Sequence, residues 1–395
     1  MKKQLVFLLA AGALSFGPSA HAMTFDEALA ALSGSQPTID SEVLAARAGI
    51  ESLKADASLP GPEVEFSYEW GLHGIGTKLN AGVSQSFDWP GVYSARHEAV
   101  KEAEQALVDS ERAKRRELSA TLRSLLVDYI AARRTLAALN EVGSVLDRQE
   151  QLIRRGYEGG EISILDVNKI TIAQASIHHE IHLATSRVED LEGSISETSE
   201  MDTREILSRL DDAYPVMSIP DEEQYVSDMM AKDSELIANA SEVRQAEISA
   251  RIERRSNFPG FSAGYTYSLE QGETFNGFSI GMTLPSRANV KRAAAARLQA
   301  EASAMASIGV VATRRAQYHA LVASARQLES EISNLGPVFE KCDNIKLLEK
   351  AYSAGQISLL DFLQELEYFS QARLNYLEDI GQYHVTLAKL NRYSF

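Results

Sequence analysis

Two stretches of the chain repeat one another. Tyr157-Glu-Gly-Gly-Glu-Ile-Ser-Ile-Leu-Asp166 returns as Tyr352-Ser-Ala-Gly-Gln-Ile-Ser-Leu-Leu-Asp361, a shift of 195 residues from Asp166 to Asp361. The same shift carries Pro90 onto Pro285, and at each proline an alternating apolar segment gives way to a long Ala/Arg/Glu-rich one. A repeat of this length lies outside the period of roughly 20–50 residues that marks solenoids. The chain therefore reads as a tandem duplication, with one unit over residues 23–200 and a second over 201–395. Each unit is one lobe of a pseudo-symmetric body.

Most of each unit carries a helical pattern. Residues 91–156 are rich in Ala, Leu, Glu, Arg and Lys, with Gly143 the single interior glycine before Gly156, and good helix formers over such a span predict one long helix. Apolar residues recur three and four apart, as in Leu118, Leu122, Leu125 and Leu126. The counterpart runs over 287–350, with a break expected at Gly336-Pro337. A helix of that length is a rod of roughly 100 Å. Beyond turns at 157–162 and 352–357 a shorter helix follows in each unit. Matching the long rods requires a further short helix stacked end to end on each, and Ser41 to Leu59 and Glu222 to Asn257 are the segments available.

Four short segments change the period to two. Val64, Phe66, Tyr68 and Trp70 alternate with Glu63, Glu65, Ser67 and Glu69, and Leu79, Ala81 and Val83 alternate with Asn80, Gly82 and Ser84. In the second unit Phe261, Ala263, Tyr265 and Tyr267 are followed by Phe278, Ile280 and Met282. This is the pattern of strands with one apolar face, over about 62–89 and 261–285. Gly71, Gly74 and Gly76, and then Gly272 and Gly277, close two hairpins. Each strand approaches the about 9–11 residues needed to cross a bilayer at a tilt. Four strands cannot close a barrel, and open edges are forbidden in lipid. Several chains must then close it together, and three would supply twelve strands.

Other features bound the setting. Met1-Lys2-Lys3, the apolar run from Leu5 to Phe16 and Ala20-His21-Ala22 form a secretory signal peptide over residues 1–22. Cys342 is the only cysteine, so no internal disulfide can form. A formal charge of −16 argues against a nucleic-acid partner. No triad, zinc-protease motif or phosphate-binding loop is present, so neither a catalytic residue nor a cofactor is expected. His178 and His182, four apart on one helix, have metal-ligand spacing, but such pairs are commonly plain surface residues.

The order helix, hairpin, long helix, tip turn and helix, run through twice, resembles the TolC family of outer-membrane efflux channels. The most specific elements are the tip segments Arg155 to Asp166 and Lys350 to Asp361, similar to the family's aromatic-x-x-Gly tips. The resemblance implies a mainly α fold with transmembrane β, a trimer in which a 12-strand β-barrel continues as an α-helical barrel. It implies no enzyme activity, a place in the Gram-negative outer membrane, and a duct partnered by a periplasmic adaptor and an RND-type inner-membrane pump. Carried over residue by residue, it puts Tyr157, Gly159, Gly160, Tyr352 and Gly355 at the adaptor-contacting tip and Asp166 and Asp361 at the entrance constriction. Val64, Phe66, Tyr68, Val83, Tyr265 and Ile280 would face lipid. Leu59 to Glu65 and Ser84 to Pro90 resemble the branch that serves heavy-metal cation efflux. Ile357 stands where some members carry an Arg, which removes one ion pair from the mouth. The competing expectation from the residues alone is a periplasmic helical scaffold that never enters lipid.

Overall fold

The structure, a computed structural model, describes residues 22–34, 36–71, 76–219, 221–339 and 344–392. The signal segment through His21, with Gly74 and Cys342, lies outside them. Among the described residues the first unit contains α1 (Phe25–Leu32), α2 (Pro37–Ala57), β1 (Glu63–Trp70), β2 (Thr77–Phe87), α3 (Pro90–Glu158) and α4 (Ile164–Ser199). The second contains α5 (Arg204–Arg209), α6 (Glu222–Lys232), α7 (Ser234–Arg255), β3 (Gly260–Glu270), β4 (Glu273–Thr283), α8 (Arg287–Phe339), α9 (Asn344–Ser353) and α10 (Leu359–Leu390).

The 69 residues of α3 make a rod of about 100 Å. Pro90 begins it at the position where a missing N–H costs nothing. Two shorter helices share its length. Near the sheet, α2 lies along it through Lys54–Glu104 at 3.0 Å and Arg115–Asp40 at 3.1 Å. Farther down, Tyr129 donates to Glu192 at 2.9 Å and Gln174 to Asp147 at 2.7 Å, so α4 continues the line. Their ends meet where the Thr38 N–H donates to the Glu200 carboxylate at 3.1 Å. The expected end-to-end stacking is thus observed, and α6 with α7 meets α10 in the same way, the Tyr225 hydroxyl donating to the Leu390 carbonyl.

No break interrupts the second rod at Gly336-Pro337, where one was expected. Helix α8 runs through Pro337 to Phe339 before α9 begins at Asn344. A proline removes one hydrogen bond and crowds one carbonyl, and a long packed helix can absorb that.

Four apolar clusters hold the helices together among the described residues, and the two largest lie at different heights. Leu122, Leu126 and Ile130 of α3 pack with Leu29 and Leu32 of α1, Ile195 of α4, Leu207 of α5 and Ala388 of α10. Nearer the tip, Leu139, Leu146 and Ile153 pack with Ile170, Ile345, Phe362 and Leu366. Around the first core the segment 210–219 forms a strap. Arg133 donates to the Leu210 carbonyl at 3.0 Å and Arg134 to that of Asp212 at 2.9 Å. Tyr214 is then sandwiched between the Arg134 guanidinium, 4.4 Å from its ring centre, and the His384 ring at 4.1 Å. Burial first, and the Arg134 charge second, push His384 down to about 4.

Candidate functional site

The two ends of the rod carry the candidate residues. At one end the strands form a single antiparallel sheet in the order β1-β2-β3-β4. Residues directly opposite in neighbouring strands share a face, so the register tests the expected polarity. Val64 opposes Val83, which opposes Tyr265, which opposes Phe278. Phe66 opposes Ala81, then Tyr267; Ile280 opposes Ala263. All six expected lipid-facing residues, Val64, Phe66, Tyr68, Val83, Tyr265 and Ile280, therefore lie on one face. It is uncovered: Ile280 is 88% and Val64 79% exposed.

The other face is mostly polar or small, with Phe275 opposite Ser268 as the exception. Asn80 donates to Ser67 at 3.0 Å and accepts from Ser268 at 2.7 Å, and Lys78 pairs with Glu270 at 3.6 Å. Where the sheet joins the helices, Trp89 stacks on Phe258 at 5.2 Å and lies 6.3 Å from Phe261. Among the described residues no helix is long and apolar enough to cross a membrane.

At the opposite end, both tips close with the same backbone device. The Glu161 N–H donates to the Gly156 carbonyl at 2.9 Å and Gly160 to Tyr157 at 3.0 Å. The second tip repeats this as Gln356 to Ala351 at 2.9 Å and Gly355 to Tyr352 at 2.9 Å. These paired bonds are a Schellman motif, which requires a left-handed residue. Gly160 supplies it at φ 79° and Gly355 at φ 69°. Gly159, beside it, sits at φ −78° in the helical region. Its counterpart, Ala354, shows that any residue fits there.

The side chains of the two tips differ. Tyr157 is exposed, whereas Tyr352 is half-buried and stacks on Phe362 at 4.9 Å. Burial raises the Tyr352 hydroxyl, and the charge of Asp166 adds to the shift. Ile162 and Ile170 share one core with Tyr352 and Phe362, which sets the first tip beside the second. Asp166 pairs with Lys169 one turn on, at 3.1 Å. Asp361 instead completes a capping box: it accepts from the Ser358 hydroxyl at 2.6 Å and backbone N–H at 3.2 Å, while its own N–H donates to the Ser358 oxygen. The Ser358 hydroxyl, followed by its N–H, holds the Asp361 carboxyl below the usual range.

His178 lies 3.0 Å from Asp147, which also accepts from Gln174, so its ring joins α4 to α3. Among the described residues no group of three or more His, Cys, Asp or Glu could hold a metal ion. Sequence reasoning missed Phe362, Lys169 and the pairs that lash the second tip to α3, Arg148–Glu349 at 3.1 Å and Arg373–Glu141 at 2.7 Å. Ser358 did carry a signal, the Ser-x-x-acid spacing of a capping box.

No family model matches the sequence, and no curated protein matches it. Solved structures do match in fold. A membrane protein from Pseudomonas aeruginosa superposes with TM-score 0.78 at 15% identity, over 95% of this chain and 91% of that one. The Campylobacter jejuni CmeC outer membrane channel gives 0.76 at 12%, over 93% and 85%. The open state of the Neisseria gonorrhoeae MtrE outer membrane channel gives 0.74 at 15%, over 93% and 88%. The protein has the fold of these outer-membrane channels, which is the fold its tip motifs and hairpins implied.

Proposed function

We propose that the protein is the outer-membrane exit duct of a tripartite efflux system. In this reading three copies close a 12-strand barrel in the outer membrane of a Gram-negative bacterium, and their helices continue it as a periplasmic tunnel. The tips around Gly160 and Gly355 meet a periplasmic adaptor, which joins the duct to an inner-membrane pump of RND type. Conduction is passive, since the chain carries no nucleotide-binding motif. Asp166 and Asp361 would place six carboxylates around the entrance, and such rings favour cations. Cations, heavy-metal ions among them, are therefore the cargo we assign.

The observation that carries the reading is the sheet. Its apolar face is uncovered along its length and its outer edges, on β1 and β4, have no partner strand among the described residues. A periplasmic scaffold would leave that surface in water, where it would aggregate. The test is fractionation followed by native mass measurement in mild detergent. Recovery from the outer membrane as a trimer is expected; a folded monomer that stays soluble without detergent would overturn the proposal.

A further inference from the structure

We infer that the barrel closes along a seam between β4 of one copy and β1 of the next, in one staggered register that sets Ser279 directly opposite Ser67 of the neighbouring copy. The inference rests on the membrane-channel reading above. It adds which residues meet, and it does not depend on how many copies form the ring.

The sheet runs β1-β2-β3-β4 with every neighbour antiparallel, so β4 and the next β1 are antiparallel too. Their register is restricted first by polarity. A slip of one residue would turn the apolar set of one strand toward the lumen, so Ile280 must oppose Val64, Phe66 or Tyr68 and never a glutamate.

The second restriction is the tilt. Crossing one copy straight along the observed pairings leads from Ser67 to Asn80, Ser268 and Phe275. If the next Ser67 sat opposite Phe275, the sheet would close without stagger, and strands parallel to the axis do not make a barrel. Four strands at about 4.8 Å span about 19 Å. A tilt of about 35–45° then makes each copy climb about 13–19 Å, or about 4–6 residues at 3.3 Å each. A stagger of about four sets Ser67 against Ser279, and one of about six sets it against Gly281. Displacement in the opposite sense would run β1 off the end of β4.

Strand ends choose between the two. With the larger stagger Glu63 would oppose Pro285, which lies beyond β4 and has no N–H to donate. With the smaller, all residues from Glu63 to Trp70 find partners between Thr283 and Asn276, and the strands end flush at Glu63 and Thr283. Side chains agree. On the lumen face Glu65 and Glu69 come opposite Gly281 and Gly277, where no side chain competes for the space. On the lipid face Val64, Phe66 and Tyr68 come opposite Met282, Ile280 and Phe278, the aromatic and branched pairs that stabilise sheets. These six are all well exposed in the single chain, whereas Leu79, Ala81, Tyr267 and Leu269 in the middle strands are half-buried.

The experiment is cysteine linkage in a Cys342→Ser background, which removes the sole native thiol. After oxidation, Ser67→Cys/Ser279→Cys should shift the monomer band to linked dimers and a linked ring on non-reducing gels, and each single variant should not. Phe66→Cys/Ile280→Cys tests the same register from the lipid side. Linkage of Glu63→Cys/Ser279→Cys in preference would place the seam in the unstaggered register and overturn the inference. So would no linkage of any pair in a protein that still leaves the outer membrane as an oligomer. A soluble monomer would instead overturn the membrane-channel reading itself.

Discussion

The two halves of the molecule solve the same problem alike at one end and differently at the other. In the sheet, each half contributes a hairpin whose apolar residues, Phe275 apart, fall on one shared face, and one polar network through Asn80 joins both halves across the other. At the tips the backbone and a helix-capping serine, Ser163 or Ser358, are shared, and the packing is not. The second tip is packed and capped, with Phe362 fully buried under Tyr352 and Asp361 bound to Ser358. The first holds Val167 at the position of Phe362, an exposed Tyr157, and an Asp166 answered only by Lys169. Duplication fixes what the chain direction requires, namely strand polarity and a left-handed glycine. Side-chain packing is free to diverge, and here it has made the second tip the firmer of the two.

Four comparisons, taken from the largest effect to the smallest, would break or sharpen that contrast. Phe362→Ala should destabilise by about 3–5 kcal/mol, because a fully buried aromatic leaves a cavity and Tyr352 loses its stacking partner. Val167→Ala should cost clearly less; equal shifts in thermal unfolding of the detergent-solubilised protein would erase the asymmetry. In the sheet the halves should respond alike. Phe66→Arg and Ile280→Arg should each cost about 2–4 kcal/mol if near the midplane, and Ser84→Arg on the lumen face far less, read as assembly yield. Tolerance of arginine on both faces would refute the membrane placement.

Gly160→Val and Gly355→Val should be equal in cost, about 1–2 kcal/mol each, since both glycines are left-handed and an added Cβ would meet nothing within 4 Å. Export should fall while the oligomer persists. Unequal costs would mean that packing, rather than φ, sets the requirement. Smallest, Ser358→Ala should cost about 1 kcal/mol as a lost cap. It should also return the Asp361 carboxyl toward its ordinary range. Because that carboxyl is depressed in the fold, its stabilising bond is present at neutral pH and lost as pH falls through the lowered value. The pH dependence of unfolding should flatten at its acid end in Ser358→Ala.

Much of this was legible in the residues. Two-residue alternation located all four strands and the faces of Phe66 and Ile280, because a strand's period fixes which side each side chain takes. The duplicated motif located the tips and the glycines that turn them. What escaped was tertiary. The strap that wedges Tyr214 between Arg134 and His384 has no period, since it depends on three segments meeting. Which member of the Gly159-Gly160 pair is left-handed does not show in sequence, because both glycines look alike there. The roles of Asp166 and Asp361 looked equal at equal offset, yet Lys169 and Ser358 give them different partners.

The central claim is that several copies of this chain enclose a conducting path whose entrance is ringed by carboxylates. Single-channel recording of the purified protein in a planar bilayer under asymmetric salt tests it most directly. Discrete current steps with a cation-selective reversal potential are expected, and Asp166→Asn/Asp361→Asn should keep the steps while weakening the selectivity. An oligomer that inserts yet passes no current would contradict the account, as would a double variant whose reversal potential equals that of the unaltered protein.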